Sequence, residues 1–241
     1  MKVDADALLN ACAVAASQGA YGISIVPEDD GWGVWSRSDS KISAVYSKLP
    51  EGAFPDGYIK GDGFSVKNAF FPDALIPGTQ PDITVGGGKL TVTCGKRKQT
   101  ARLDGLDANE AVKVMPKYTP QSTMLVEAGD MIKFFKQKQI KEFKGVNGLK
   151  LTLTNEGLTA TVEDETTSFE DVLECDTVAL QEDVEQTYAG FNIDALVPMI
   201  LAVPKDAVVT LGFDTNCPIE LTVDTDTFYT RMLLAPQISE D

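Results

Sequence analysis

VDADALL (residues 3–9) and VEAGDMI (residues 126–132) decide the fold of this chain. Each sets an acidic residue ahead of an apolar run at helical spacing, and each opens the same succession of elements. In the first, Asp4 is a predicted N-cap for a helix over residues 5–18, closed by Gly19. Strands follow in YGISIV (21–26), GWGVWSRS (31–38) and KISAVYSKL (41–49). A second, shorter helix is predicted within FSVKNAFFPDAL (64–75), then a Gly-turned hairpin over residues 82–103.

From residue 123 the order recurs. MLVEAGDMIKFFKQKQIKEF (124–143) reads as a strand running into a helix that stops near Gly145. LKLTLTNEGLTATVED (149–164) is a hairpin and TTSFEDVLE (166–174) an alternating strand. GFNIDALVPMILAV (190–203) holds a short helix, and strands close the chain. GFSV (63–66), ahead of the second helix, also parallels GFNI (190–193). The same order at a near-constant offset predicts an internal duplication. The expected domains are residues 1–103 and 124–241, joined by a linker over 104–123 that has two prolines and little periodicity. The fold class is α+β, a repeated unit of two helices on one face of a sheet.

Composition narrows the function. The chain has no histidine, which removes the commonest general base and metal ligand, and no phosphate-cradling glycine loop. We therefore expect no enzyme, no metal and no cofactor. The N-terminal MKVDADALLNA carries acids where a secretory signal needs basic residues and a long apolar stretch. No apolar run is long enough to span a membrane as a helix. Cys12, Cys94, Cys175 and Cys217 form no CxxC, so an intracellular, reduced protein is expected.

The formal charge of −15 is uneven. Residues 1–150 hold 19 Lys+Arg against 17 Asp+Glu; residues 151–241 hold 2 (Lys205, Arg231) against 19. Projected as a helix from Asp130 to Lys144, Met131, Ile132, Phe135 and Phe143 form an apolar stripe. Lys133, Lys136, Lys141 and Lys144 cluster opposite, with Lys138 nearer the edge; Phe134 and Ile140 break the pattern. A charge run of this kind is ordinarily a solvated face. Its nearly single sign, relieved only by Glu142, within an acidic chain, also suits a polyanion contacted through phosphates and without base reading.

Two further segments carry opposite charge. GKRKQTAR (95–102) holds Lys96, Lys98 and Arg102, and VEDETTSFEDVLE (162–174) holds Glu165, Ser168 and Glu170. As solvent-facing hairpins they are unremarkable. As sheet edges they are complementary, and they suit a head-to-tail contact that closes into a ring.

The closing AVVTLGFDTNCPIELTV (207–223) and YTRMLLAPQISED (229–241) resemble the final strands and the LAP-[RK]-I-acidic tail of PCNA-type DNA sliding clamps. SRSDSKISAV (36–45) is similar to that family's S-M-D-x-[SA]-H-V loop, and Val114-Met115-Pro116 to its linker step. The resemblance implies a ring of subunits, a homotrimer in this reading, with the helices lining a hole around duplex DNA. It implies a processivity factor that tethers DNA polymerase and other clients and is placed on DNA by a clamp loader. By the same resemblance Lys67, on the second helix, joins the third-helix lysines in facing DNA. The client peptide pocket would use Arg37, Val114, Met115, Pro116, Tyr118, Pro218, Leu233, Ala235 and Pro236, with the backbone near residues 236–238 pairing with the client. The chain departs from the pattern in its first and fourth helices, which carry no Lys or Arg, and in Arg37 and Lys41, which replace the family's methionine and histidine. Rival readings are a β-rich structural or assembly protein, for instance of a virion, and a heteromeric or checkpoint-type clamp subunit.

Overall fold

The computed structural model describes residues 1–17, 22–38, 42–67, 70–103, 115–137, 140, 148–163, 168–175, 177–225 and 228–237. They fall into two compact units, Met1–Pro116 with Thr225–Thr230, and Lys117–Asp224 with Arg231–Asp241.

In the first unit, helix α1 (Ala5–Ala16) starts where Asp4 accepts the Ala7 N–H at 2.9 Å, satisfying a donor that a helix start leaves orphaned. Its residues Leu8, Ala11, Cys12 and Ala15 are fully buried. Strands β1 (Gly22–Glu28), β2 (Gly31–Arg37) and β3 (Ser43–Pro50) form an antiparallel meander. Its first turn depends on Gly31, at φ +146°, where a Cβ would stand 2.0 Å from the Leu49 carbonyl oxygen. Trp32 packs edge-on against Phe54 and Phe64, with ring centroids 5.1 and 5.9 Å away.

The segment predicted as the second helix splits. Phe64–Lys67 is strand β4, paired with β1 through Gly22↔Lys67, and helix α2 spans only Phe70–Ala74. Phe64 and Val66 are buried by that pairing, and ladder bonds outweigh the helical propensity of so short a run. Lys67 accordingly belongs to a strand and not to the second helix. Strands β5 (Asp82–Gly86), β6 (Lys89–Cys94) and β7 (Arg97–Arg102) make a separate antiparallel sheet. Late in the chain, Thr230 Oγ1 meets Ser47 Oγ at 2.8 Å and donates to the Tyr46 carbonyl, while Tyr229 lies 6.1 Å from the Tyr46 ring.

The second unit repeats the scheme. Strand β8 (Thr123–Glu127) leads into helix α3 (Ala128–Phe135). Strands β9 (Leu149–Thr154), β10 (Gly157–Glu163) and β11 (Ser168–Glu174) follow, then β12 (Thr177–Ala179) and β13 (Gln186–Phe191). Helix α4 (Ile193–Leu201), β14 (Val208–Gly212), β15 (Ile219–Thr225) and β16 (Phe228–Leu234) complete the chain, β16 passing from the first unit into the second. Asn192 caps α4 as Asp4 caps α1, accepting from the N–H three residues on. The duplication also shows in pairing. Val208 pairs with Glu127 just before α3, and Lys2 bridges Asp82 just before α1. The architecture is the predicted α+β class, a repeated two-helix and sheet unit.

A continuous helix from Asp130 to Lys144 does not form. α3 ends at Phe135 with Lys136 as its C-cap, and the Gln137 side chain is held by Asp171. Phe134 and Ile140, which broke the apolar stripe, are both buried. The apolar surface of this region is therefore wider than one helical face.

Candidate functional site

Lys133, on α3, is ion-paired with Asp130 at 2.7 Å, and Lys136 is exposed at the cap. Lys138, Lys141 and Lys144 lie outside the described residues. Lys67 is exposed at the end of β4.

β7 is a terminal strand of its sheet, and β11 is terminal in the sheet ordered β11-β10-β9-β13. Alternation along β7 sorts its side chains. Arg97 Nη2 and Gln99 Nε2 both donate to the Asp73 carbonyl, at 2.6 and 3.0 Å. Lys98, Thr100 and Arg102 share the other face, and Lys96 sits in the turn before the strand. On β11, Ser168 and Glu170 are exposed on one face, while Asp171, on the other, reaches Gln137. Glu165 lies outside the described residues.

The expected docking residues divide between the units. Arg37 is exposed at the end of β2, Met115 is half-buried and Pro116 exposed, all in the first unit; Val114 lies outside the described residues. Tyr118, Pro218, Leu233, Ala235 and Pro236 belong to the second. There Tyr118, Pro218, Ala235 and Pro236 are half-buried, but Leu233 is only 3% exposed and packs as core. Gln237 donates its backbone N–H to the Gly190 carbonyl at 2.8 Å, so one main-chain donor near residues 236–238 is already engaged.

A polar cluster that no sequence motif announces holds Tyr118 in place. The Asp214 carboxylate accepts from the backbone N–H groups of Gln121 and Ser122, each at 3.1 Å, and from the Tyr118 hydroxyl at 3.1 Å. Three donors on one carboxylate form a charge-assisted clamp on residues 118–122. Arg231 closes the other side. Its guanidinium binds Glu220 through Nε at 2.9 Å and Nη2 at 2.6 Å, and Nη2 also donates to the Tyr118 carbonyl. Arg231 and Glu220 are 22% and 15% exposed, so solvent screens the pair only partly. One signal was available: Arg231 is one of only two basic residues after position 150.

Burial pushes the Tyr118 phenol well above its usual range; the backbone hydrogen bond with Asp214 opposes this, and the Asp214 charge adds to the rise. An unfolded tyrosine ionises near pH 10. The unfolded chain thus releases this proton first. The stabilisation is complete below about pH 10 and declines as pH rises above it. A denaturation midpoint that falls between about pH 9 and about pH 11, less steeply in Tyr118→Phe, is the expected outcome. Equal slopes in the two proteins would place the effect elsewhere.

No protein-family model matches the sequence, and no curated protein matches it significantly. Solved structures do match, along the full chain. A. fulgidus PCNA bound to the C-terminal region of FEN-1 shares 15% identity at a TM-score of 0.82, covering 100% of this chain and 99% of that one. PCNA from Thermococcus kodakaraensis matches at 16% identity and a TM-score of 0.80, covering 98% and 99%. The PCNA2–PCNA3 complex from Sulfolobus tokodaii gives 15% and 0.79 over 98% and 99%. The chain has the fold of PCNA-type sliding clamps, as the resemblance of its closing strands and tail implied. No helix among the described residues is long and apolar enough to cross a membrane.

Proposed function

We propose that this chain is a DNA sliding clamp, a ring-forming processivity factor that encircles duplex DNA and tethers polymerase and other clients without catalysis of its own. The observation that carries the reading is the full-length fold likeness to PCNA structures at TM-scores of 0.79 to 0.82. The ring is a homotrimer closed between the basic β7 edge and the acidic β11 edge, and a loader opens it. The domain roles follow the duplication: residues 1–103 and 124–241 as clamp domains, with 104–123 as the connecting segment. Clients insert an apolar and aromatic plug beside Met115, Tyr118, Pro218, Ala235 and Pro236.

DNA contact is sparse and directed at phosphates. Lys67, Lys136, Lys138, Lys141 and Lys144 supply it, with a smaller share from Lys133, whose charge Asp130 already neutralises. Each phosphate engaged adds about −0.9 to the slope of log K against log salt. Replacing Lys136, Lys138, Lys141 and Lys144 with alanine is expected to leave native mass unchanged, to flatten that slope and to shorten processive synthesis at moderate salt. Processivity equal to the unaltered chain across a salt series would remove these lysines from the DNA contact. A strict monomer at high concentration would instead point to an assembly with unlike subunits.

A further inference from the structure

The second unit carries a pocket of about 270 Å³ that uses none of the residues assigned above to DNA or client docking, and only Glu174, the last residue of β11, from the strand assigned to self-association. Strand registers place its floor. Leu125 pairs with Thr177 on β12 and with Thr210 on β14, and Val208 stands opposite Glu127. Side chains alternate along a strand, so Leu125, Glu127, Thr177 and Val208 share one face while Met124, Val126 and Val209 lie buried beneath. Leu125 is 44% exposed and Val208 49%, an apolar pair open to solvent at the floor of a concavity. Cys175 forms one wall, its Sγ against the carbonyl oxygens of Leu125 and Thr177.

The rim is acidic. Glu127, Asp130 and Glu174 line it, and no Lys or Arg among the described residues does. Lys133 pairs with Asp130, whereas Glu127 and Glu174 have no ion-pair partner among the described residues. Among the described residues β12 is the terminal strand of the order β12-β8-β14-β15, so its outer edge has no strand partner there.

We infer that this pocket docks a basic peptide segment in which an aliphatic side chain is flanked by lysine or arginine. The aliphatic group covers Leu125 and Val208, removing their exposed surface from water. The flanking cations meet Glu127 and Glu174. An acidic or purely apolar segment satisfies only half of this arrangement. The residues that line the site belong to the second unit.

The test uses the full-length chain and a short fluorescein-labelled peptide alternating leucine with lysine. Anisotropy should report saturable binding that Leu125→Asp abolishes and that Glu127→Lys with Glu174→Lys weakens about tenfold. Glu182→Lys with Glu185→Lys changes net charge equally at exposed positions away from the pocket and should leave binding nearly unchanged. In a Cys217→Ser background, where Cys175 is the only cysteine left that is not buried, the peptide should slow alkylation of Cys175 by iodoacetamide severalfold. Equal weakening by the two double reversals would mean binding to the acidic surface at large and would overturn the assignment. So would unaltered Cys175 alkylation, or equal affinity for a peptide alternating leucine with glutamate. Binding of leucine amide as tightly as the peptide would overturn the peptide assignment, making the pocket a small-molecule site.

Discussion

A protein carrying Lys98→Glu and Arg102→Glu is expected to run as a single chain in native mass spectrometry under conditions where the unaltered protein forms its ring. Both side chains project from the same face of β7, away from the Asp73 carbonyl that Arg97 and Gln99 engage. The reversals should therefore spare the fold of the first unit. A single exposed ion pair is worth only about 0.2–1 kcal/mol, so one substitution is too small to read. Two reversals replace two attractions with two repulsions at each junction, and every junction in a closed ring suffers alike. Adding Glu165→Lys and Glu170→Lys should restore part of the assembly. If the first variant keeps the mass of the unaltered chain, the charged edges are not the interface. If the second pair gives no rescue, β7 meets some surface other than β11.

Asp214→Ala should produce the largest loss of stability among single polar substitutions, about 3 kcal/mol, with Tyr118→Phe costing about 1 kcal/mol. The carboxylate satisfies two backbone donors and one hydroxyl on residues 118–122, and alanine leaves all three without it. Asn, which keeps one acceptor oxygen, should fall between. Chemical denaturation ranks the three variants, and the second unit's transition is the one that should move. Client peptide affinity should decline in the same order, because Tyr118 loses the partner that orients its ring. Should the Ala and Phe variants prove equally stable, the clamp on the backbone of residues 121–122 adds little.

The helix starts were the most legible part of this chain. Asp4 announces α1 because capping is local chemistry, readable within four residues. The hairpin turning at Gly157 is equally local, since the φ of +135° there is a conformation that residues with a side chain rarely adopt. Phe64–Lys67 misled because it is too short for its periodicity to decide between helix and strand, and its partner Gly22–Ile25 lies some 40 residues earlier. β13 escaped notice for a related reason. Its buried positions are Thr187, Ala189 and Phe191, two of them small, so the alternation is faint. The segment proposed to dock clients was suggested by letters, Met115-Pro116 and the closing Leu-Ala-Pro, but the groups that fix Tyr118 had no such signal. Asp214 and Arg231 lie 96 and 113 residues from it, and no spacing rule connects them. Leu233, expected by resemblance to line the client pocket, is 3% exposed.

The division of β16 carries a consequence for how the protein is made. Residues 225–230 complete the first unit, where Thr230 bonds Ser47 and Tyr46, yet the ribosome adds them roughly 110 residues after that unit's main stretch ends at Pro116. At bacterial or eukaryotic elongation rates that delay is about 5 to 20 s. Through that interval the emerging first unit lacks a strand. Ser47, fully buried in the finished protein, waits without its threonine partner. The second unit is nearly all synthesised before the first can close, an order of assembly opposite to the N-to-C sequence in which independent domains usually fold. A nascent-chain pause or a holding chaperone would act on this protein chiefly in that window.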